Sequence, residues 1–97
     1  MIKVWIDDIR EAPKGYFWCR STNSALRFIT QNKDYIELID IDHDAGDYAK
    51  DGGDYIRLLN WLEETGRNYP IRIYSMNPVG VQNMRTIIQK NGWQEIK

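Results

Sequence analysis

Asp7 and Asp8 stand side by side, and Asp42 and Asp44 flank the single histidine of the chain, His43. Carboxylates are hard oxygen donors that repel one another at close range unless a cation lies between them. Mg²⁺, or Mn²⁺ in its place, suits such a set, because it takes one or two carboxylates and leaves its other positions to water and substrate phosphate. Asp7, Asp8 and Asp42 are the expected metal ligands; the plainer alternative is that they cap helices or solvate loops. His43 could act as a general acid or base near neutral pH, with a flanking carboxylate, Asp42 or Asp44, holding its ring; the alternative is a surface histidine in a polar loop. Ser75 and Asn77 can donate to a phosphate oxygen, Pro78 opens a helix whose first N–H groups face the same edge, and Arg10 can reach a phosphate with both arms of its guanidinium. Asn77 can equally be the cap of that helix, and Arg10 can simply be solvated.

These residues matter only if the fold gathers them. Ile2 to Ile6, Tyr16 to Arg20, Ile36 to Asp42, Ile71 to Ser75 and Trp93 to Ile96 read as strands, from their β-branched and aromatic content. Helices are expected after Ser21 or Thr22 (Ala25, Leu26, Ile29 on one face), after Asp54 as cap (Tyr55, Ile56, Leu59, Leu62), and from Asn77-Pro78 (Val81, Met84, Ile87, Ile88). Asn32, Gly66 and Asn91-Gly92 suit their ends. His43 to Gly53 reads as a loop. Strands alternating with helices imply a mostly parallel sheet with helices on both faces. In such sheets ligands bind beyond the carboxyl ends of the strands, and there Asp7-Asp8, Asp42-His43-Asp44 and Ser75-Met76-Asn77 would meet. The first two strands are joined by an unusually short segment, so either a single helical turn is squeezed in after Asp8 or the second strand runs antiparallel. Asp40, mid-strand and on the same face as Asp42, needs a partner if buried, and Lys3 is the candidate.

The remaining composition narrows the function. At 97 residues the chain fits one domain. A formal net charge of -1 argues against general DNA coating, which needs a strong basic footprint, while leaving a phosphorylated small molecule or one RNA end as partner. One cysteine, Cys19 in an aromatic run, reads as a packed thiol in a reducing, cytoplasmic setting. Neither a signal peptide nor a membrane span is expected. Four tryptophans are many for this length, and one or two are expected near a ligand.

Trp5-Ile6-Asp7-Asp8-Ile9-Arg10 with Pro13, then Ile41-Asp42-His43-Asp44, then Ser75-Met76-Asn77-Pro78-Val79-Gly80 with Asn83-Met84, resembles the cyclic-phosphate-processing receiver family from end to end. The resemblance implies a receiver-like (flavodoxin-like) three-layer domain with a five-stranded, mostly parallel sheet and a reduced first crossover. It implies processing of cyclic phosphate ends, of RNA above all. Asp7, Asp8 and Asp42 would hold Mg²⁺ or Mn²⁺; His43, Ser75 and Asn77 would line the reaction site; Arg10 would support it. The family usually carries histidine just before the serine, where this chain has Tyr74, a poor base near neutral pH. Two rivals follow. One is a receiver phosphorylated on Asp42, whose customary lysine could only be Lys97. The other is a binding module that keeps the pocket without the chemistry, which Tyr74 favours.

Overall fold

Apolar, β-branched runs form β1 (Ile2–Ile6), β2 (Tyr16–Cys19), β3 (Ile36–Ile41) and β4 (Ile71–Ile73) in a computed structural model that describes residues 1–97. The helices are α1 (Thr22–Gln31), α2 (Ile56–Thr65) and α3 (Pro78–Asn91), and Gly46–Lys50 adds a short 3₁₀ segment inside the expected loop. Ser21 caps α1, its hydroxyl accepting from the Ser24 N–H while Ser24 reaches back, a reciprocal capping box. Asn77 caps α3 through its side-chain oxygen alone, which accepts the Gly80 N–H. Asp54 does not cap α2. Tyr55 occupies the cap position, and the Asp54 carboxylate instead accepts the Ala45 N–H at 3.0 Å, closing the loop after β3.

All neighbouring strands are parallel, in the order β2-β1-β3-β4, the flavodoxin-like order with β1 inside the sheet. The connection from β1 to β2 is therefore a crossover, but it holds no helical turn. Extended chain from Asp7 to Gly15 reaches about 30 Å, ample to return along a five-residue strand of about 17 Å. The expected fifth strand is reduced to one bridge: the Ile71 N–H donates to the Gln94 carbonyl at 3.0 Å and the Ile96 N–H to the Ile71 carbonyl at 2.8 Å, around Glu95. β4 is only three residues long and offers little outward backbone to extend that pairing.

Cross-strand register separates the two faces. Val4, Ile6, Cys19, Ile39, Ile41 and Ile71 point one way and join the buried residues of all three helices, among them Ala25, Ile29, Leu58, Leu59, Leu62, Met84 and Ile88, in one apolar cluster. Each such Ile or Leu contributes roughly 1.5–3 kcal/mol by leaving water. Lys3, Trp5, Tyr16, Leu38, Asp40 and Arg72 point the other way. Helices thus cover one face, where both were expected. Loss of the first crossover helix is the cause, and the opposite face is closed by large side chains instead: Trp5 packs edge-on to Tyr16, with ring centres 5.9 Å apart, and against Tyr74 at 5.8 Å. On this face Asp40 takes Arg72, not Lys3, as its partner (3.1 Å), because the register sets Asp40 opposite Arg72 and Lys3 opposite Leu38. Lys3 lies over the Tyr16 ring. No helix is long and apolar enough to cross a membrane.

Candidate metal and phosphate site

Asp7 and Asp42 follow the last residues of β1 and β3, adjacent strands in register, so the sheet itself sets their carboxylates side by side. One oxygen from each of Asp7, Asp8 and Asp42 lies within 4.8 Å of the others. Asp7 is buried and fully engaged: Oδ1 accepts the Ile9 and Arg10 N–H groups at 3.0 and 2.8 Å, and Oδ2 accepts Arg10 Nε at 2.9 Å. Asp42 Oδ1 accepts the His43 N–H at 2.7 Å, and its Oδ2 faces Arg10 Nη2 at 3.3 Å. Burial pushes the Asp8 carboxyl above its ordinary range; the charges of Asp7 and Asp42 add to that, and a backbone hydrogen bond opposes it. The set fits a divalent cation on its own chemistry: three hard donors converge, and the third is strained electrostatically by the other two.

The loop that carries the acid pair is held by residues whose role composition and periodicity do not reveal. Trp18 Nε1–H donates to the Asp7 carbonyl at 2.8 Å, Trp5 Nε1–H to the Arg10 carbonyl at 2.8 Å, and Arg20 to the Asp8 carbonyl at 3.0 and 2.7 Å. Two tryptophans therefore lie beside the site as framing, and their hydrogen-bond partners are backbone carbonyls. Gly46 has φ +55°, and a Cβ there would strike the Asp8 carboxylate, so glycine lets the next loop close over this side chain.

A second group adjoins the first through the Asp42–His43 peptide. His43 Nδ1 lies 2.8 Å from Asp44 Oδ1, and its side chain is only 14% exposed. The His43 hydrogen bond holds the Asp44 carboxyl below its usual range. An ionised carboxylate only accepts, so Nδ1 carries the proton and Nε2 is the basic nitrogen. Asn77 Nδ2 supports Asp44 at 3.3 and 3.4 Å while its Oδ1 caps α3 at Gly80. Its amide is spent on the cap and on Asp44. Of the other expected anion donors, Ser75 Oγ accepts the Asn77 N–H at 3.2 Å and keeps its own proton to give. At the start of α3, Pro78 has no N–H, and those of Gly80 and Val81 go to Asn77, leaving that of Val79. Arg10 sits on the carboxylates and also stacks on Tyr74, its guanidinium 4.5 Å from a ring that is 50% exposed.

Gly80 has a second function. A Cβ at this position would collide with the His43 imidazole, so the ring lies directly on the first turn of α3. Gly80→Ala is expected to cost about 1–3 kcal/mol by overpacking and to move the imidazole. The chain has one histidine, so its ¹H–¹⁵N imidazole signals report this without ambiguity, and urea unfolding reports the stability. An unchanged imidazole spectrum would contradict the contact.

This pairing of an acid pair with Asp-His-Asp and a Ser-x-Asn-Pro-x-Gly helix start is matched by a family model described as the cyclic-phosphate processing receiver domain, over residues 2–90. The chain belongs to that family. No curated protein and no solved structure matches it. Within the cyclic-phosphate processing receiver fold, Tyr74 takes a place at the site edge, clasping Arg10 between its ring and the Asp7 and Asp42 carboxylates. Lys97 pairs with Glu95 at 3.5 Å, and Arg10 is the cation that pairs with Asp42.

Proposed function

We propose that this receiver domain binds Mg²⁺ or Mn²⁺ through Asp7, Asp8 and Asp42 and processes a cyclic or terminal phosphate, on an RNA end or a nucleotide. The observation that supports it most is the adjacency of the two groups: a carboxylate cluster within 4.8 Å and a His43–Asp44 dyad at 2.8 Å, joined by one peptide bond at the carboxyl edge of a parallel sheet. A cation bound there supplies charge neutralisation on the phosphoryl oxygens and a more acidic water. His43 Nε2 takes the proton of the attacking water as its oxygen bonds to phosphorus. The ring P–O bond breaks, and the proton returns from Nε2 to the departing oxygen, leaving a phosphomonoester. Ser75 and the Val79 N–H donate to the phosphoryl oxygens.

Metal binding is tested by melting temperature. A tenfold excess of cation over its Kd adds about 1.4 kcal/mol, which at this chain length is roughly 5–10 °C. Wild type should show this rise with millimolar Mg²⁺ or Mn²⁺ in the presence of 2′,3′-cyclic AMP, and Asp7→Asn should lose most of it. No rise with or without the nucleotide would remove the metal from the reading. Turnover is assayed on a short RNA ending in a 2′,3′-cyclic phosphate. Tyr74 favours a second reading, a domain that binds the same phosphate without opening it, since its ring is committed to Arg10. Binding of the RNA with no change in its mass would select that reading, and Tyr74→His is the variant to try for gain of activity. Phosphorylation of Asp42 has less support, because Lys97 pairs with Glu95.

A further inference from the structure

Arg10 Nε lies 2.9 Å from Asp7 Oδ2 and Nη2 lies 3.3 Å from Asp42 Oδ2, so one guanidinium bridges the two carboxylates that the proposed cation would share. An arginine is always charged, so this group is a permanent cation between them. Arg10 makes no ion pair with Asp8. Asp7 Oδ1 is filled by two backbone N–H groups, so the Asp7 oxygen left to offer is the Oδ2 that Arg10 holds; Asp42 Oδ1 accepts one N–H, and Asp42 Oδ2 faces Arg10. Arg10 takes one lone pair of each of these oxygens and sets a positive charge beside them, which opposes a divalent ion there. Arg10 has somewhere to go: its side chain is 38% exposed, it lies over the ring of the half-exposed Tyr74, and it is within 3.5 Å of the Tyr74 carbonyl.

We infer that Arg10 is the resident counterion of the acid cluster and makes cation binding conditional on a phosphate ligand. Without a ligand, Arg10 occupies the cation's place and weakens binding of the ion. When an anionic phosphate is present, Arg10 leaves Asp7 and Asp42, each of which it holds through one nitrogen, stays stacked on Tyr74, and grips the phosphate oxygens with both arms of its fork. The cation and the phosphate are thereby linked: each is bound more tightly when the other is present. The site would select a cation–phosphate pair over either partner alone. This rests on the metal-and-phosphate reading above and assigns Arg10 its part in it.

The test measures Mn²⁺ affinity by electron paramagnetic resonance, with and without saturating 2′,3′-cyclic AMP, and needs no turnover. Coupling between two ligands is typically about 5–150-fold. In wild type the nucleotide should tighten Mn²⁺ by about tenfold or more. In Arg10→Gln, Mn²⁺ alone should bind about tenfold more tightly than to wild type, and the nucleotide should change its affinity little. Arg10→Lys keeps a charge without the fork. It should fall between the two in Mn²⁺ affinity, and it serves if Arg10→Gln does not fold. Equal Mn²⁺ affinity in wild type and variants overturns the role of Arg10 while leaving the metal site standing. Weaker Mn²⁺ binding in Arg10→Gln also overturns it. Absence of Mn²⁺ binding in every protein, with and without nucleotide, overturns the metal reading and this inference together.

Discussion

His43→Ala is expected to slow opening of a 2′,3′-cyclic phosphate by about 10²–10⁴-fold, the usual worth of one positioned general acid or base. The same variant should keep the cation-dependent rise in melting temperature proposed above, because the Asp7, Asp8 and Asp42 carboxylates and their hydrogen bonds lie outside the imidazole. Two features make the prediction specific. Nδ1 is committed to Asp44 at 2.8 Å, so a single ring nitrogen is left for proton transfer. The ring is also clamped against Gly80, so it cannot swing away and be replaced by a mobile neighbour at little cost. The assay is gel or mass analysis of a short RNA with a cyclic end. A rate within a few-fold of wild type would exclude His43 as the proton carrier.

Arg72→Met should destabilise the fold near the lower end of about 3–5 kcal/mol at neutral pH, the cost of stranding a buried charge. Asp40 is 1% exposed and sits mid-sheet with Arg72 as its one ionic partner, while the Arg72 side chain is 40% exposed, so water can replace part of what is lost. Burial already raises the Asp40 carboxyl above its ordinary value, and Arg72 is the group that holds it back. Removing Arg72 raises it further. The folded state then binds a proton that the unfolded chain does not, and stability falls as pH rises from the ordinary aspartate value through the raised one. The deficit of Arg72→Met should accordingly shrink on acidification, and the double variant Asp40→Leu/Arg72→Met should recover most of it. Urea unfolding at pH 7 and near pH 4 checks both statements. A variant as stable as wild type at pH 7 would contradict the account of the pair.

Much of the site could be read from residue order, because a parallel sheet delivers the residues after its strands to one edge. Asp7, Asp8, Asp42 and His43 needed only that rule, and helix α3 with its Asn77 cap needed only Pro78 and the apolar spacing behind it. What escaped was set by contacts between distant parts of the chain. The pairing of Arg10 with Asp42, the collision that makes Gly80 a glycine, and the choice of Arg72 over Lys3 all depend on register and loop path. Asp54 looked like a helix cap because aspartate before an apolar run usually is one; here the loop from His43 competes for it through Ala45. The helix-free face had a trace in the sequence, since Lys3, Trp5 and Tyr16 mix charge and aromatic bulk where a strand buried under a helix would be uniformly aliphatic.

The all-parallel sheet has a consequence for how the protein is made. It contains no hairpin, so no pair of strands can zip up from a tight turn, and each pairing must first close a loop against chain entropy. β1 is the strand on which this weighs most. It joins β2 on one side and β3 on the other, and it carries the acid pair at its end. Assembly of the middle of the sheet and assembly of the carboxylate cluster are therefore one event. A chain caught before β1 docks would expose the edges of its neighbours and have Asp42 without Asp7. A cation bound as proposed above can act only once β1 has docked, and should slow unfolding more than it speeds folding.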